Sequence, residues 1–475
     1  MTKKTNPFYA RLAVFLLIVM TLSCNDDPTP VPAPATAEDP NIEVNKWIKE
    51  KMDYVYLWSS TIPNNVDQKK KPEEYFKALL NSQDRFSWIQ PNYQELLNSL
   101  SGINKEAGYE VTFYRMSATS NDLYAQIVYI KPGSPASLTT LKRGDVITKI
   151  NNTSITVDNY KSLIAQMSEN HSITYRTVSI PDGAVGAETV LNLTTVEFAE
   201  NPNFLSKVIK AGDRKVGYYV YNFFAPGNGG SYDSEMERIF ESFKAQGITD
   251  LILDLRYNSG GAVSSAVNLA SLVGSGVNAS SVFTYWKYND KVEADIIKDP
   301  KFGPSALVTN FVAKSANVGG QLTGNRVYVL TSARTASASE LIINGLKPYM
   351  NVFLIGTNTV GKNVGSFSIF EENNPKNKWG MQPIVFKLLN KDKQAEYTNG
   401  FTPDIVNPDN NFVIFPLGDE RESMLSVALA QITGTTGRVE RTPQKQHEII
   451  AQSLDFKRRS NQLIGDLRLP NLSKK

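Results

Sequence analysis

Between Val216 and Gly434 this 475-residue chain alternates elements in a way that leaves few folds open. KVGYYVYNFF reads as a strand, YDSEMERIFESFKAQG as a helix closing at Gly247, and DLILDLR as a strand buried on both faces. NSGG follows, then a helix from Gly261, the strand RVYVLTS, the helix ASELIINGL and the strand NVFLIG. Strand–helix–strand alternation with short turns implies an α/β core with a largely parallel sheet. Ligands of such sheets sit beyond the carboxyl ends of the strands. DLRYNSGG, TSARTASASE and GTNTVGKNVG all fall there.

The middle segment places Thr335, Ser337 and Ser339 on alternate positions just before an apolar run. Ser337 to Glu340 fits S-x-x-E, a capping box that satisfies free donors at a helix start. A hydroxyl there also sits beside N–H groups that can hold an oxyanion. It still needs a base. The chain has two histidines: His171 lies in SENHSI and His447 in a polar tail, and both read as exposed or structural. Lysine remains, provided burial makes its neutral form accessible. Moving a lysine from about 10.4 to near 7.5 disfavours the charged form by roughly 4 kcal/mol. Lys362, in TVGKNVGS after NVFLIG, would reach the same sheet edge as the hydroxyls, and Gly361 and Gly365 let backbone approach closely. Asp254 and Arg256 share one face of their strand and are expected to pair at its end, holding the glycine turn.

Composition excludes several chemistries. A single cysteine, Cys24, rules out an intramolecular disulfide, a Cys/His zinc site and a papain-like pair. No acidic cluster has calcium-loop spacing, so neither metal nor cofactor is expected. A net charge of +3 argues against nucleic acid, with KKK at 69–71 and KRR at 457–459 reading as solvated surface.

The chain opens with Lys3, Lys4 and Arg11, then LAVFLLIVMTL and LSC. That apolar run is too short for a stable membrane span but suits a signal-peptide core. Residues 1–24 resemble a bacterial lipoprotein signal, which implies lipidation at Cys24 and a cell-envelope location on the outer membrane, periplasmic or surface-exposed. Residues 25–40 read as a proline-rich tether. From 41 to 100 the pattern is helical, with Val44, Trp47, Ile48, Met52, Val55 and Tyr56 near one face and Pro72 opening a second helix. Residues 101–197 read as β-rich, and 435–475 as a polar C-terminal helix or tail.

Two resemblances add to this reading. IVYIKPGSPA and LKRGDVITKINN resemble a PDZ domain, which implies that the loop bearing Gly102, Ile103, Gly108 and Tyr109 receives a peptide's C-terminal carboxylate while the peptide adds as an edge strand. TASASELIINGLKPYMNVFLIGTNTVGKN resembles the serine–lysine core of the C-terminal processing peptidases, peptidase family S41. That resemblance implies Ser337 as nucleophile, Lys362 as base, and backbone N–H groups of Gly260 or Gly261 and of Ala338 as the oxyanion hole. Position 366, often glutamine in the family, is Ser366, so either its hydroxyl or a water in the gap would orient the lysine.

The expected architecture is multidomain α+β: an N-terminal helical cap (41–100), a PDZ-like domain (101–197) and an α/β crotonase-like or ClpP-like S41 core (198–434). The expected function is a serine endopeptidase acting on polypeptides selected through their C-termini. The rivals are an inactive PDZ-bearing binding protein and a crotonase-type acyl-CoA enzyme, the latter disfavoured by export of the chain.

Overall fold

In a computed structural model that describes residues 39–435, 447–457 and 460–465, the strand Asp250–Asp254 is buried at every position. It pairs in parallel with Arg214–Tyr221 and with Arg326–Thr331. Asn351–Gly356 and Ile405–Val406 extend the parallel sheet, and Asn203–Ala211 closes the other edge antiparallel. This is the expected parallel core. The lipoprotein-like signal with Cys24 and the proline-rich tether lie outside the described residues, Asp39 and Pro40 excepted.

Helix Ala338–Leu346 is buried at all its residues because it touches strands of two sheets at once. One is the parallel sheet; the other is a six-stranded sheet that includes Val364–Ser366, Ile384–Leu389 and Val282–Lys287. On the opposite face of the parallel sheet, helix Ser423–Thr433 packs Met424, Leu425 and Ala428 against Ile252, Leu330 and Ile355.

Helix Pro40–Val55 buries Val44, Trp47, Ile48, Met52 and Val55, and Tyr56 beyond it is also buried, as the spacing predicts. Pro72 opens helix Pro72–Ala78. This region shares the main hydrophobic core with the parallel sheet. Its strand Trp88–Gln90 pairs with Gly380–Gln382.

Strands Tyr109–Arg115, Leu123–Ile130, Val146–Ile150, His171–Arg176 and Thr189–Leu193 form an antiparallel sheet with its own core of Phe113, Ile127, Ile147, Leu163 and Ile173. Helix Tyr160–Gln166 covers one side.

The C-terminal helix is a correction. Among its described residues this segment forms strand Ile449–Gln452, a 3₁₀ turn Ser453–Phe456 and strand Leu463–Ile464. The first strand joins Tyr109–Arg115 antiparallel, and the second lies between Gly261–Ala262 and Val364–Ser366. Open sheet edges offer a full set of backbone partners, whereas a short isolated helix pays its nucleation cost alone.

Candidate active site

The loops after Asp250–Asp254, Arg326–Thr331 and Asn351–Gly356 converge at one end of the parallel sheet, as the alternation requires. They bring together the three segments that sequence reasoning placed there.

Ser337 is the N-cap of helix Ala338–Leu346, fully buried, with φ 62° and ψ −112°. A serine held at positive φ stores roughly 1–3 kcal/mol of strain that the surroundings must over-determine. Glu340 does much of this: its Oε2 accepts the Ser337 N–H at 2.8 Å. The same Oε2 accepts the Lys362 N–H at 2.8 Å, and Oε1 accepts the Gly361 N–H at 2.6 Å and the Thr359 hydroxyl at 2.5 Å. One carboxylate therefore sets the backbones of Ser337 and Lys362 side by side. Burial raises the Glu340 carboxyl, against those four donors. Ser337 and Glu340 take the expected capping-box arrangement, but its serine side falls short of a full hydrogen bond, which leaves the Ser337 hydroxyl without a partner among the described residues. A buried unpartnered hydroxyl costs stability and stays available for chemistry.

Lys362 is fully buried. Burial pushes its amine down from 10.5 to about 7, against the pull of Asp84 and Glu340. The amine stands 4.8 Å from the centre of the Phe86 ring. The N-terminal region thus supplies part of the pocket wall, and Arg85 donates to the carbonyls of Gly361 and Thr398 at 3.0 and 3.1 Å. Gly361, at φ 87°, is required: a Cβ there would meet the Thr398 carbonyl at 2.2 Å.

Among the expected oxyanion donors, Gly260 N–H is taken by Asn258 Oδ1 at 2.9 Å, whereas Gly261 N–H reaches a carbonyl, that of Gln462, at 2.5 Å. Ala338 opens the helix beside Ser337, where backbone N–H groups lack intrahelical partners. Asn258 holds this turn by donating to the Tyr221 carbonyl at 2.8 Å, and its own carbonyl accepts from Ala336 N–H and Ser339 hydroxyl. Of the three hydroxyls in the segment, Thr335 donates to the Leu255 carbonyl and Ser339 to that of Asn258, so Ser337 alone is free.

Ser366 does not orient the lysine. It donates to Gln382 Oε1 at 2.5 Å, and Lys362 Nζ donates at 2.5 Å to the Asn461 carbonyl. A register shift between Gly365 and Ser366 accompanies this re-aiming of the side chain toward the neighbouring strand.

Asp254 and Arg256 pair as expected, with Arg256 Nη2 2.8 Å from Asp254 Oδ2. Glu422 completes the site by accepting two bonds from Arg256 at 2.7 and 2.9 Å. No local pattern links residues 166 positions apart, so sequence reasoning missed it. Arg143, in the LKRGD turn, donates to the hydroxyl of Tyr257 at 2.7 Å. It connects the smaller β sheet to the glycine loop.

The expected carboxylate loop is divided. Gly108 and Tyr109 line a groove of about 390 Å³ beside helix Tyr160–Gln166, while Gly102 and Ile103 lead into strand Ile103–Glu106, paired with Val196–Ala199. His171 is buried in this sheet, 2.8 Å from the Tyr109 hydroxyl, and burial lowers it, which fits a structural role.

A parallel sheet whose strand ends join a strained serine at a helix start to a buried lysine defines a serine–lysine hydrolase fold. The peptidase family S41 model matches residues 215–407, and the peptidase S41 N-terminal domain matches residues 43–88. The chain belongs to peptidase family S41. It is 23% identical over 322 residues to a CtpA-like serine protease of Staphylococcus epidermidis, covering 66% of this chain and 57% of the relative. It is 24% identical over 310 residues to a carboxyl-terminal-processing protease of Picosynechococcus sp., covering 65% of this chain and 66% of that one. The matches therefore span less than two thirds of these relatives' lengths. A crystal structure of an S41 protease from Bacteroides fragilis superposes with a TM-score of 0.67 at 26% identity, covering 82% of this chain and 97% of that chain.

Proposed function

We propose that this chain is a serine endopeptidase of the carboxyl-terminal processing type. The observation that carries the reading is Glu340, whose single oxygen binds the backbone N–H groups of both Ser337 and Lys362. The Ser337 hydroxyl attacks the scissile carbonyl, and neutral Lys362 takes its proton. Gly261 and Ala338 N–H groups stabilise the tetrahedral oxyanion. Lys362 returns the proton to the leaving amine, and water then hydrolyses the acyl-enzyme. Family membership and the free hydroxyl favour catalysis over an inactive scaffold.

The smaller β sheet acts as a PDZ-like selector that takes polypeptides through their C-termini. The edge of Tyr109–Arg115, which here carries Ile449–Gln452 as an added strand, and the adjacent groove support that role, because an extended peptide can add there as a strand. The LSC signal supports a lipid anchor at Cys24 and a cell-envelope location, probed by the shift of a Cys24→Ser chain from the membrane to the soluble fraction.

The test of the peptidase reading is hydrolysis of an unstructured protein by the purified chain, beside Ser337→Ala and Lys362→Ala. Wild type should cut it and both variants should lose activity by about 10³-fold or more. Equal rates in all three would refute the assignment.

A further inference from the structure

The C-terminal segment passes through both places a substrate must reach. Ile449–Gln452 occupies the free edge of Tyr109–Arg115, with Ile449 opposite Tyr114 and Gln452 opposite Thr112. The Phe456 ring meets the Tyr160 ring of the covering helix. This is the geometry of a peptide added to a sheet edge. The segment runs toward the loop bearing Gly108, where a terminal carboxylate would stop, and then continues.

What it meets there is acidic. Glu106, Glu110 and Glu200 surround buried Lys131 at 2.7, 2.8 and 2.9 Å, and Lys457 of the segment pairs with both Glu106 and Glu110. Ser453 donates to Glu110 at 2.5 Å, and Asp455 takes Arg334, two residues from the nucleophile loop's Ala336, at 2.7 Å. Beyond this the segment enters the cleft. The Asn461 carbonyl takes the Lys362 amine, and the Gln462 carbonyl takes the Gly261 N–H. A Cβ on Gly260 would stand 2.5 Å from the Gln462 oxygen and 2.9 Å from Ser337 Oγ, so that carbonyl and the nucleophile both border the same glycine. Leu463 is fully buried in a strand between Gly261–Ala262 and Val364–Ser366.

We propose that residues 449–457 and 460–464 are an intramolecular pseudosubstrate, which takes the docking edge of the smaller sheet and the cleft together and must leave before a polypeptide substrate can enter. This rests on the peptidase reading for its consequence in activity, but the occupancy itself is independent of it. With the segment in place the lysine and the Gly261 donor are both engaged, and the Ser337 hydroxyl bonds to neither. The groove-side hold combines ion pairs and backbone bonds with the buried Ala451 and Leu454, while Ile449 and Phe456 are each 43% exposed.

The test uses the full-length chain. Lys457→Glu sets a third carboxylate against Glu106 and Glu110 and should raise kcat/KM on an unstructured protein by about 10-fold or more, because the competent fraction rises. Conversely, a Thr112→Cys/Gln452→Cys pair in a Cys24→Ser background should lock the first strand when oxidised, leaving about a tenth of the activity or less, with reductant restoring it. An unchanged or lower kcat/KM for Lys457→Glu at unaltered Tm, or an oxidised pair as active as the reduced one, would overturn the proposal. A second readout needs no catalysis. In a Ser337→Ala background, a labelled peptide of residues 447–465 should bind the Lys457→Glu chain and not its Lys457 parent. Equal binding by both, or binding by neither, overturns the occupancy. If the peptide discriminates but no form shows Ser337-dependent hydrolysis, the peptidase reading fails and the occupancy stands.

Discussion

Replacing Lys362 by methionine should make the protein more stable while abolishing its activity. The lysine is fully buried, and burial lowers its amine from 10.5 to about 7. That lowering corresponds to roughly 5 kcal/mol of disfavour for the charged form relative to the unfolded chain. Methionine fills a similar volume and carries no charge, so it removes this cost. It also forfeits the hydrogen bond to the Asn461 carbonyl, about 1 kcal/mol. Relaxation and water penetration reduce the remainder, leaving a gain of about 2–4 kcal/mol near pH 7. The pH dependence is the sharper signature. Between pH 7 and 10.5 the unfolded lysine holds a proton that the folded one has released, so wild-type stability gains about 1.4 kcal/mol per pH unit from this group. The methionine advantage should therefore be full at and below pH 7 and shrink by that amount per unit above it. Urea unfolding followed by tryptophan fluorescence at pH 6 to 9, with both chains in a Ser337→Ala background, measures the difference. A methionine chain that is less stable at pH 7, or an advantage that does not decline by pH 9, would refute a neutral buried lysine.

Three further outcomes are expected. Because the amine must be neutral to accept a proton, kcat/KM should rise through a single limb with its midpoint near pH 7; an optimum near pH 5 is incompatible with this base. Glu340→Gln should lower kcat by about 100-fold, since one amide oxygen cannot serve the donors that two carboxylate oxygens now serve. It should also move the limb to lower pH, because the charged lysine loses an attractive partner, a shift that loss of packing alone would not produce. Glu422→Ala removes the bidentate member of the three carboxylates paired with buried Arg256 and should cost about 3–5 kcal/mol in chemical denaturation.

Local sequence determined a good deal of this protein. Apolar runs separated by short turns dictated the parallel core, since only that arrangement buries DLILDLR on both faces. The 3- and 4-residue spacing of Val44 to Tyr56 dictated the buried helix face. Scarcity of histidine directed attention to lysine, and the position of Lys362 after a core strand brought it to the serine. These features act through neighbours in the chain or through the period of a single element.

What tertiary structure decided are the partners of each group. Only the assembled loops show that Ser339 and Thr335 are bonded elsewhere and Ser337 is not. Ser366 stands where the family resemblance implies a lysine-orienting group, yet a register shift hands it to Gln382. Glu422 meets Arg256, and Asn461 meets Lys362, across 166 and 99 positions, distances at which no periodicity carries information. The C-terminal segment reads as helical by its spacing, but its described residues pair with the edge of Tyr109–Arg115 and between Gly261–Ala262 and Val364–Ser366, where backbone groups need partners. Local pattern sets what each element is; which buried group satisfies which is settled when the elements close on one another and water is excluded.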